Sequence, residues 1–299
     1  MTTVPPPIAP SVNGIARRAN LSYDDFCRDY LFPHVPVVVG GALHDWPAVG
    51  KWTPEFFKNR FGDRTVVIDR EYTVAELIDQ IDVSDAGRPG PYLHSQHIQH
   101  LFPEVLDDVR PLPAYFSPNW LSGWFIPKSL RERCHEHCNL EIFIGGKDAG
   151  FPFLHWDEYH YHAFVAQVYG RKKFFIYSPA QSPVMYPTAD RAYVSSVRDV
   201  EHPDLMRFPR FAEARPLTTI LEPGDLLFVP GGWWHTTRML SASISVSINT
   251  VNASNWRAFS RDICDEMRPF HGRRVALFAA WLAAQGRIQA SWNWLRGSR

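Results

Sequence analysis

Hydrophobic and polar positions divide the chain into three stretches of different period. In the first, short apolar runs alternate with capped helical patterns. LSYDDFCRDYLFPH (21–34) offers Ser22 as a helix cap ahead of apolar residues at helical spacing, and Pro33 ends it. VPVVVGG (35–41) is a β-branched run closed by two glycines and predicts a strand. KWTPEFFKNRFGD (51–63) predicts a helix capped by Thr53, with Pro54 in its first turn and Gly62 at its end. TVVID (65–69) predicts a strand, TVAELIDQI (73–81) a capped helix, and residues 84–91 a Gly/Pro loop. In the middle stretch the period changes to two. LEIFIGG (140–146), AFVAQVYG (163–170), KKFFIYSP (172–179), TTILEPGD (218–225), LLFVPGG (226–232) and SISVSINTV (243–251) are short strands between Gly/Pro turns, with no helical pattern between them. That arrangement predicts an antiparallel sandwich or small barrel. After Asn255 the pattern is helical again, in NWRAFSRDICDEMRPF, GRRVALFAAWLAAQG and a short SWNWLRG. The expected organisation is a Pro-rich flexible tail at 1–14, an α/β region at 15–139 packing on a barrel, the barrel core at 140–252, and C-terminal helices at 253–299.

Composition narrows the function classes. With 45% hydrophobic and 21% charged residues, the 299-residue chain is an ordinary globular sequence. Lys and Arg total 31 and so do Asp and Glu, which tells against a dedicated nucleic-acid surface. No apolar run reaches membrane-spanning length, and no partner membrane is expected. The N-terminal MTTVPPPIAPSVNG has neither the charged nor the apolar region of a secretory signal. Cys27, Cys134, Cys138 and Cys264 are scattered and do not form a disulfide framework. A reducing, cytoplasmic setting is the expectation. In CHEHCN (134–139), Cys134 and Cys138 sit one helical turn apart and read as small apolar residues of one helix face rather than as zinc ligands.

The sharpest chemical signal is His155-Trp156-Asp157. Residues two apart on an extended strand point to the same side, so one imidazole and one carboxylate reach a single cation. A third ligand must come from elsewhere, and His235 in GDLLFVPGGWWHTT stands at a strand end where a barrel's mouth would be. Two histidines and a carboxylate form a facial triad that leaves positions open and suits non-haem Fe(II). His160 and His162 form a second alternating pair; His162 is an alternative ligand, and both are otherwise expected to line the pocket or lie on the surface. Lys172 and Lys173 open an apolar strand, and alternation turns one of them inward, where it needs an anion. A cosubstrate carboxylate is such an anion. In SISVSINTV, Ser245, Ser247 and Asn249 share one face, which would leave room for a ligand if it points into the barrel.

These residues resemble a known family, the cupin-like JmjC-type Fe(II)/2-oxoglutarate oxygenases, its asparaginyl hydroxylases and their bacterial relatives in particular. The likeness runs over residues 20–255, through PVVVGGALHDWPAVGKWTPEFF, PYLHSQ, FLHWDE, YGRKKFFIYSP and PGDLLFVPGGWWH. It implies a mainly β fold, the double-stranded β-helix or jelly roll. It implies Fe(II) held by His155, Asp157 and His235, and 2-oxoglutarate as cosubstrate. It places the carboxylate-pairing lysine at Lys172, an assisting tyrosine at Tyr92, and the last-strand asparagine at Asn249. Pro152 stands where the asparaginyl hydroxylases have a cosubstrate-binding threonine. The implied activity is hydroxylation of a protein, peptide or amino-acid-like substrate. The alternatives are a demethylase or an RNA-modifying hydroxylase on the same fold, or a non-catalytic cupin-like binding protein. The apolar 275–295 stretch, with Leu277, Phe278, Trp281 and Leu282, must be covered, either by packing back on its own barrel or in a homodimer of exchanged C-terminal helices, which the resemblance favours.

Overall fold

The computed structural model describes residues 14–122, 139–271 and 274–295. Most of the tail and the Cys134/Cys138 segment lie outside the described residues.

Two sheets face each other. The larger takes β1 (Ala16–Ala19), β2 (Val37–Gly40), β5 (Tyr92–His97), β6 (Glu141–Gly145), β7 (His162–Tyr169), β10 (Leu226–Val229) and β12 (Ser243–Thr250), in the order β1-β2-β10-β7-β12-β6-β5. Only β1 and β2 run parallel in it. The smaller is β11 (Trp234–Met239), β8 (Lys172–Tyr177) and β9 (Leu217–Leu221), in that order and antiparallel. An extended segment at 149–155 adds to the free side of β11 through bridges Gly150–Arg238 and His155–His235. A small hairpin of β3 (Thr65–Val67) and β4 (Glu71–Thr73) stands apart. This is the antiparallel sandwich that the strand spacing predicted, in the jelly-roll form that the resemblance implied.

The central strands β7, β10 and β12 of the large sheet are buried on both faces, for different reasons. Ile142, Ile144, Phe164, Ala166, Ile244, Val246 and Ile248 face outward into the main core. That core is closed by the N-terminal helices: α1 (Tyr23–Phe26, with a wider turn through Leu31), α2 (Pro54–Phe61) and α3 (Val74–Asp82). Their starts are the expected ones. Ser22 Oγ, Thr53 Oγ1 and Thr73 Oγ1 accept from the backbone N–H of Asp25, Phe56 and Glu76 at 3.1, 3.0 and 3.1 Å, each bond contributing about 1 kcal/mol. The opposite, inward faces of β6, β7 and β12 line a pocket against β8 and β11. β12 is therefore a central strand whose polar face points inward.

Two expectations need correction. WHTTRM was not among the expected strands, yet it forms β11; its mixed polar residues hide the alternation because one face lines the pocket. The C-terminus folds as two helices, α4 (Trp256–His271) and α5 (Arg274–Leu295), rather than three. Gly286 does not stop α5. Its missing side chain instead admits the ring of Trp256, and its carbonyl neighbour Leu282 O accepts from Trp256 Nε1 at 3.0 Å.

Candidate metal centre and cosubstrate pocket

His235 is the second residue of β11, delivered by the Gly231-Gly232 turn. Gly232 has φ +82°, and Gly231 packs so closely on the His160 carbonyl that no Cβ would fit. Across from it, His155 and His235 exchange both backbone hydrogen bonds, at 3.1 and 2.6 Å. This is the hydrogen-bonded pair of an antiparallel ladder, and it puts the two imidazoles on one side. Their ring centroids are 4.4 Å apart. Asp157 follows in extended backbone, two residues on, before a turn over Glu158–His160. One ligand atom from each of His155, Asp157 and His235 falls within 4.8 Å of the others. His235 Nε2 lies 3.7 Å from Asp157 Oδ2.

The ring orientations fit a metal. His155 Nδ1–H is placed to donate to Phe153 O at 3.3 Å, and His235 Nδ1–H to Trp233 O at 3.0 Å. Both bonds assign the proton to Nδ1 and leave the Nε2 lone pairs free for one cation. Burial pushes the His155 pKa well below the usual histidine range, so this imidazole is neutral and able to ligate. Two nitrogens and one carboxylate oxygen on one side fit Fe(II) with open positions on the other.

Lys172 points into the same pocket from β8 and is only 1% exposed. Its Nζ donates to Ser245 Oγ at 2.5 Å and lies 3.4 Å from Tyr92 OH. Among the described residues it pairs with no carboxylate, and burial lowers its pKa to about 7. A buried ammonium with hydroxyl partners alone lacks its counter-charge, which is what a dicarboxylate cosubstrate brings. Lys173 faces the other way and pairs with Glu201 at 2.9 Å. Asn249 lines the pocket from β12, and its backbone carbonyl accepts from Asn119 Nδ2 at 3.2 Å. Pro152 supplies no hydroxyl, but Thr237 does. Its Oγ1 is buried in the pocket wall beside the Tyr92 hydroxyl, two residues along β11 from His235.

The cavity measures about 390 Å³, within the range of small-molecule sites. The reading of the sequence did not single out Glu141, Trp156, Glu158, Tyr161, Tyr193 or Thr237, all of which line it. Glu141 was legible in principle, because it alternates with the core residues Ile142 and Ile144. Burial, with the Asp157 charge nearby, raises its pKa to about 8, and His97 Nε2 stands 3.9 Å away.

His160 and His162 are corrected. His162 is fully buried; its Nδ1 accepts from Gly231 N–H at 2.9 Å, its Nε2 meets Ser254 Oγ at 2.7 Å, and it lines no part of the pocket. His160 also lies outside the pocket wall, with Nδ1 2.5 Å from Asp262 Oδ2 of α4. Tyr159 and His160 both have left-handed backbone, φ 56° and 53°, directly after Glu158, the first residue of the turn. Three contacts from the C-terminal end hold this turn: Tyr159 OH donates to Glu266 Oε2 at 2.6 Å, Asn255 Nδ2 donates to His160 O at 3.0 Å, and Asp262 takes the imidazole.

Two facing sheets with a two-histidine, one-carboxylate cluster at the pocket define a cupin-type metal-binding architecture. The comparisons with known proteins give the family. A family model described as a cupin-like domain matches residues 66–258, well over half of the chain, and the chain belongs to that family. Lysine-specific demethylase 8 of Xenopus tropicalis is 31% identical over 254 residues, covering 81% of this chain and 54% of that protein. Arginine-specific demethylase JMJ20 of Arabidopsis thaliana is 29% identical over 303 residues, covering 86% and 64%. The 2-oxoglutarate and iron-dependent oxygenase JMJD4 of Homo sapiens is 29% identical over 276 residues, covering 81% and 63%. The chain thus spans between half and two thirds of the length of these relatives.

Proposed function

We propose that this protein is an Fe(II)- and 2-oxoglutarate-dependent oxygenase that hydroxylates a side chain of a protein, peptide or amino-acid-like substrate, with succinate and CO2 as co-products. The observation that carries the reading is Lys172, a buried lysine without a counter-ion, in the same pocket as His155, Asp157 and His235. In this reading the two Nε2 atoms and the Asp157 carboxylate hold the iron. Lys172, with Tyr92, Ser245 and Thr237 beside it, holds the distal carboxylate of the cosubstrate, and Asn249 stands on the same wall. Iron and keto acid supply the oxygen-activating chemistry when bound. The chain's own work is to orient them, and the apolar Phe143, Phe151, Val165 and Phe174 exclude water around them.

A second reading, removal of an N-methyl group through hydroxylation of its carbon, uses the same site. Glu158, Trp156 and Tyr193 line the pocket, a carboxylate and two aromatic faces that suit a basic side chain. The relatives named as lysine- and arginine-specific demethylases support it. Succinate release from 2-oxoglutarate, measured with and without peptides carrying Asn, Lys, Arg or their methylated forms, tests both readings. Mass gain of one oxygen marks hydroxylation, and loss of a methyl group with formaldehyde marks demethylation. No metal-dependent turnover with any substrate would sink both.

A homodimer through the C-terminal helices also belongs to this proposal. Leu277, Ala284 and Ile288 recur on one side of α5. Leu277 is 77% and Ile288 56% exposed, which is a large apolar stripe to leave in water.

A further inference from the structure

A second cavity, of about 560 Å³, lies in the groove between α4 and α5, away from the barrel pocket. Trp120 and Trp256 stack edge to face at one part of it, with centroids 5.3 Å apart. Cys264 lines it from α4, and Ala279, Ala283 and Gly286 line it from α5. The contact of Trp256 with Gly286 fixes the register of the two helices. Arg257 follows Trp256 and Arg287 follows Gly286, so these two arginines stand at the same end of the groove, and both line it.

The charges there are unequal. Arg261 pairs with Asp262 at 3.1 Å and Arg268 with Asp265 at 3.0 Å. Arg257 and Arg287 have no carboxylate within ion-pair distance among the described residues. Residues 253–299 hold eight arginines against three acidic residues, although the whole chain is neutral. Of these, the helical pair itself carries Arg257, Arg261, Arg268, Arg274 and Arg287 against Asp262, Asp265 and Glu266, a net positive charge. Two polar atoms of the groove wall, Trp120 Nε1 and Ser260 Oγ, are buried without a hydrogen-bond partner.

We propose that this groove binds an amphipathic anion: a carboxylate on an acyl chain, with the headgroup between Arg257 and Arg287 and the chain along Cys264, Ala279 and Ala283. The inference is independent of the oxygenase reading. From Arg257 to Arg268 the groove follows α4 for about 16 Å, the reach of a medium-length chain. The volume is that of a small-molecule site, about 300–1,000 Å³, and the carbon-rich walls offer few partners for a peptide backbone. A second copy's α5 is a poor occupant, since it brings arginines and no carboxylate to a basic groove.

The test titrates dodecanoate, dodecanol and acetate into the full chain, following tryptophan fluorescence and heat. Dodecanoate is expected to saturate one site and perturb the indole emission. Dodecanol and the double variant Arg257→Gln/Arg287→Gln should each bind at least about tenfold more weakly, because the charged hydrogen bonds are lost. Ala283→Trp should abolish binding by filling the groove; the arginine variant, altered only at exposed side chains, remains decisive if Ala283→Trp fails to fold. Equal binding of dodecanol and dodecanoate, or unchanged affinity in the arginine variant, would overturn the proposal. So would a glutamate-rich peptide that binds more tightly than dodecanoate and loses binding in the same variant, which would assign the groove to an acidic protein segment.

Discussion

In the barrel pocket a strand has two faces, and each side chain has one of two destinations. Lys172 and Lys173 are neighbours, yet one is sealed in the pocket and the other pairs with Glu201 on the outside. In the C-terminal pair a helix offers a full circle, and α5 uses it twice. Ala279, Ala283 and Gly286 turn to the α4 groove, while Leu277 and Ile288 are exposed to solvent. Period two ties sequence to chemistry tightly. An apolar helix says that its faces must be covered, and not by what.

The largest expected effect breaks the pocket. Asp157→Ala should lower Fe(II) affinity by more than about 100-fold and end succinate release, with the melting temperature of the metal-free protein nearly unchanged. Metal content after dialysis and succinate assays check it; near-native turnover would mean that Asp157 is not a ligand. Next comes the lysine pair. Lys172→Ala should raise the 2-oxoglutarate requirement by an amount corresponding to about 3–5 kcal/mol, the cost of breaking a buried charge pair. Lys173→Ala should cost less than about 1 kcal/mol of stability and leave the cosubstrate requirement alone. Equal effects on cosubstrate binding would erase the contrast between the strand's faces.

A third test sharpens the same contrast by pH. Burial depresses Lys172 to about 7 from an ordinary value of 10.5. Between those values the unfolded chain holds a proton that the folded chain has released, so stability of the ligand-free protein should rise with pH across this window. Thermal melts of wild type and Lys172→Met, taken from pH 6 to about 10, compare the slopes. The wild-type rise should flatten in the variant, and parallel curves would contradict a sealed lysine. The fourth test moves to α5. Leu277→Arg with Ile288→Arg should turn a dimer into a monomer with little loss of fold, read by light scattering at micromolar concentration. A monomeric wild type would end the dimer reading.

Much of the site was legible because strand alternation and short motifs converge. HxD and the late histidine could be grouped from their strand positions, alternation turned one of two lysines inward, and the resemblance chose Lys172. The misses have physical causes. Glu141 looked like an ordinary charged residue at a strand's start. Thr237 lay in a strand whose inward face is polar, which erases the apolar alternation that marks strands. His162 looked like chemistry because histidines in alternation do. It is in fact a buried polar group satisfied by Gly231 and Ser254, close to the edge of the His34 ring. Gly286 looked like a helix stop and is a packing glycine.

The turn at Glu158–His160 ties these two regions into one inheritance. Its left-handed residues are held by Asn255, Asp262 and Glu266, all beyond the last barrel strand. A barrel cut free after Thr250 would keep all three prospective ligands in its sequence and lose the clasps that aim one of them. The helical pair is thus no detachable accessory. A recombination event that transplanted only the strands would carry the recipe for a metal site without the means to set it, and the minimal portable unit of this architecture must include α4.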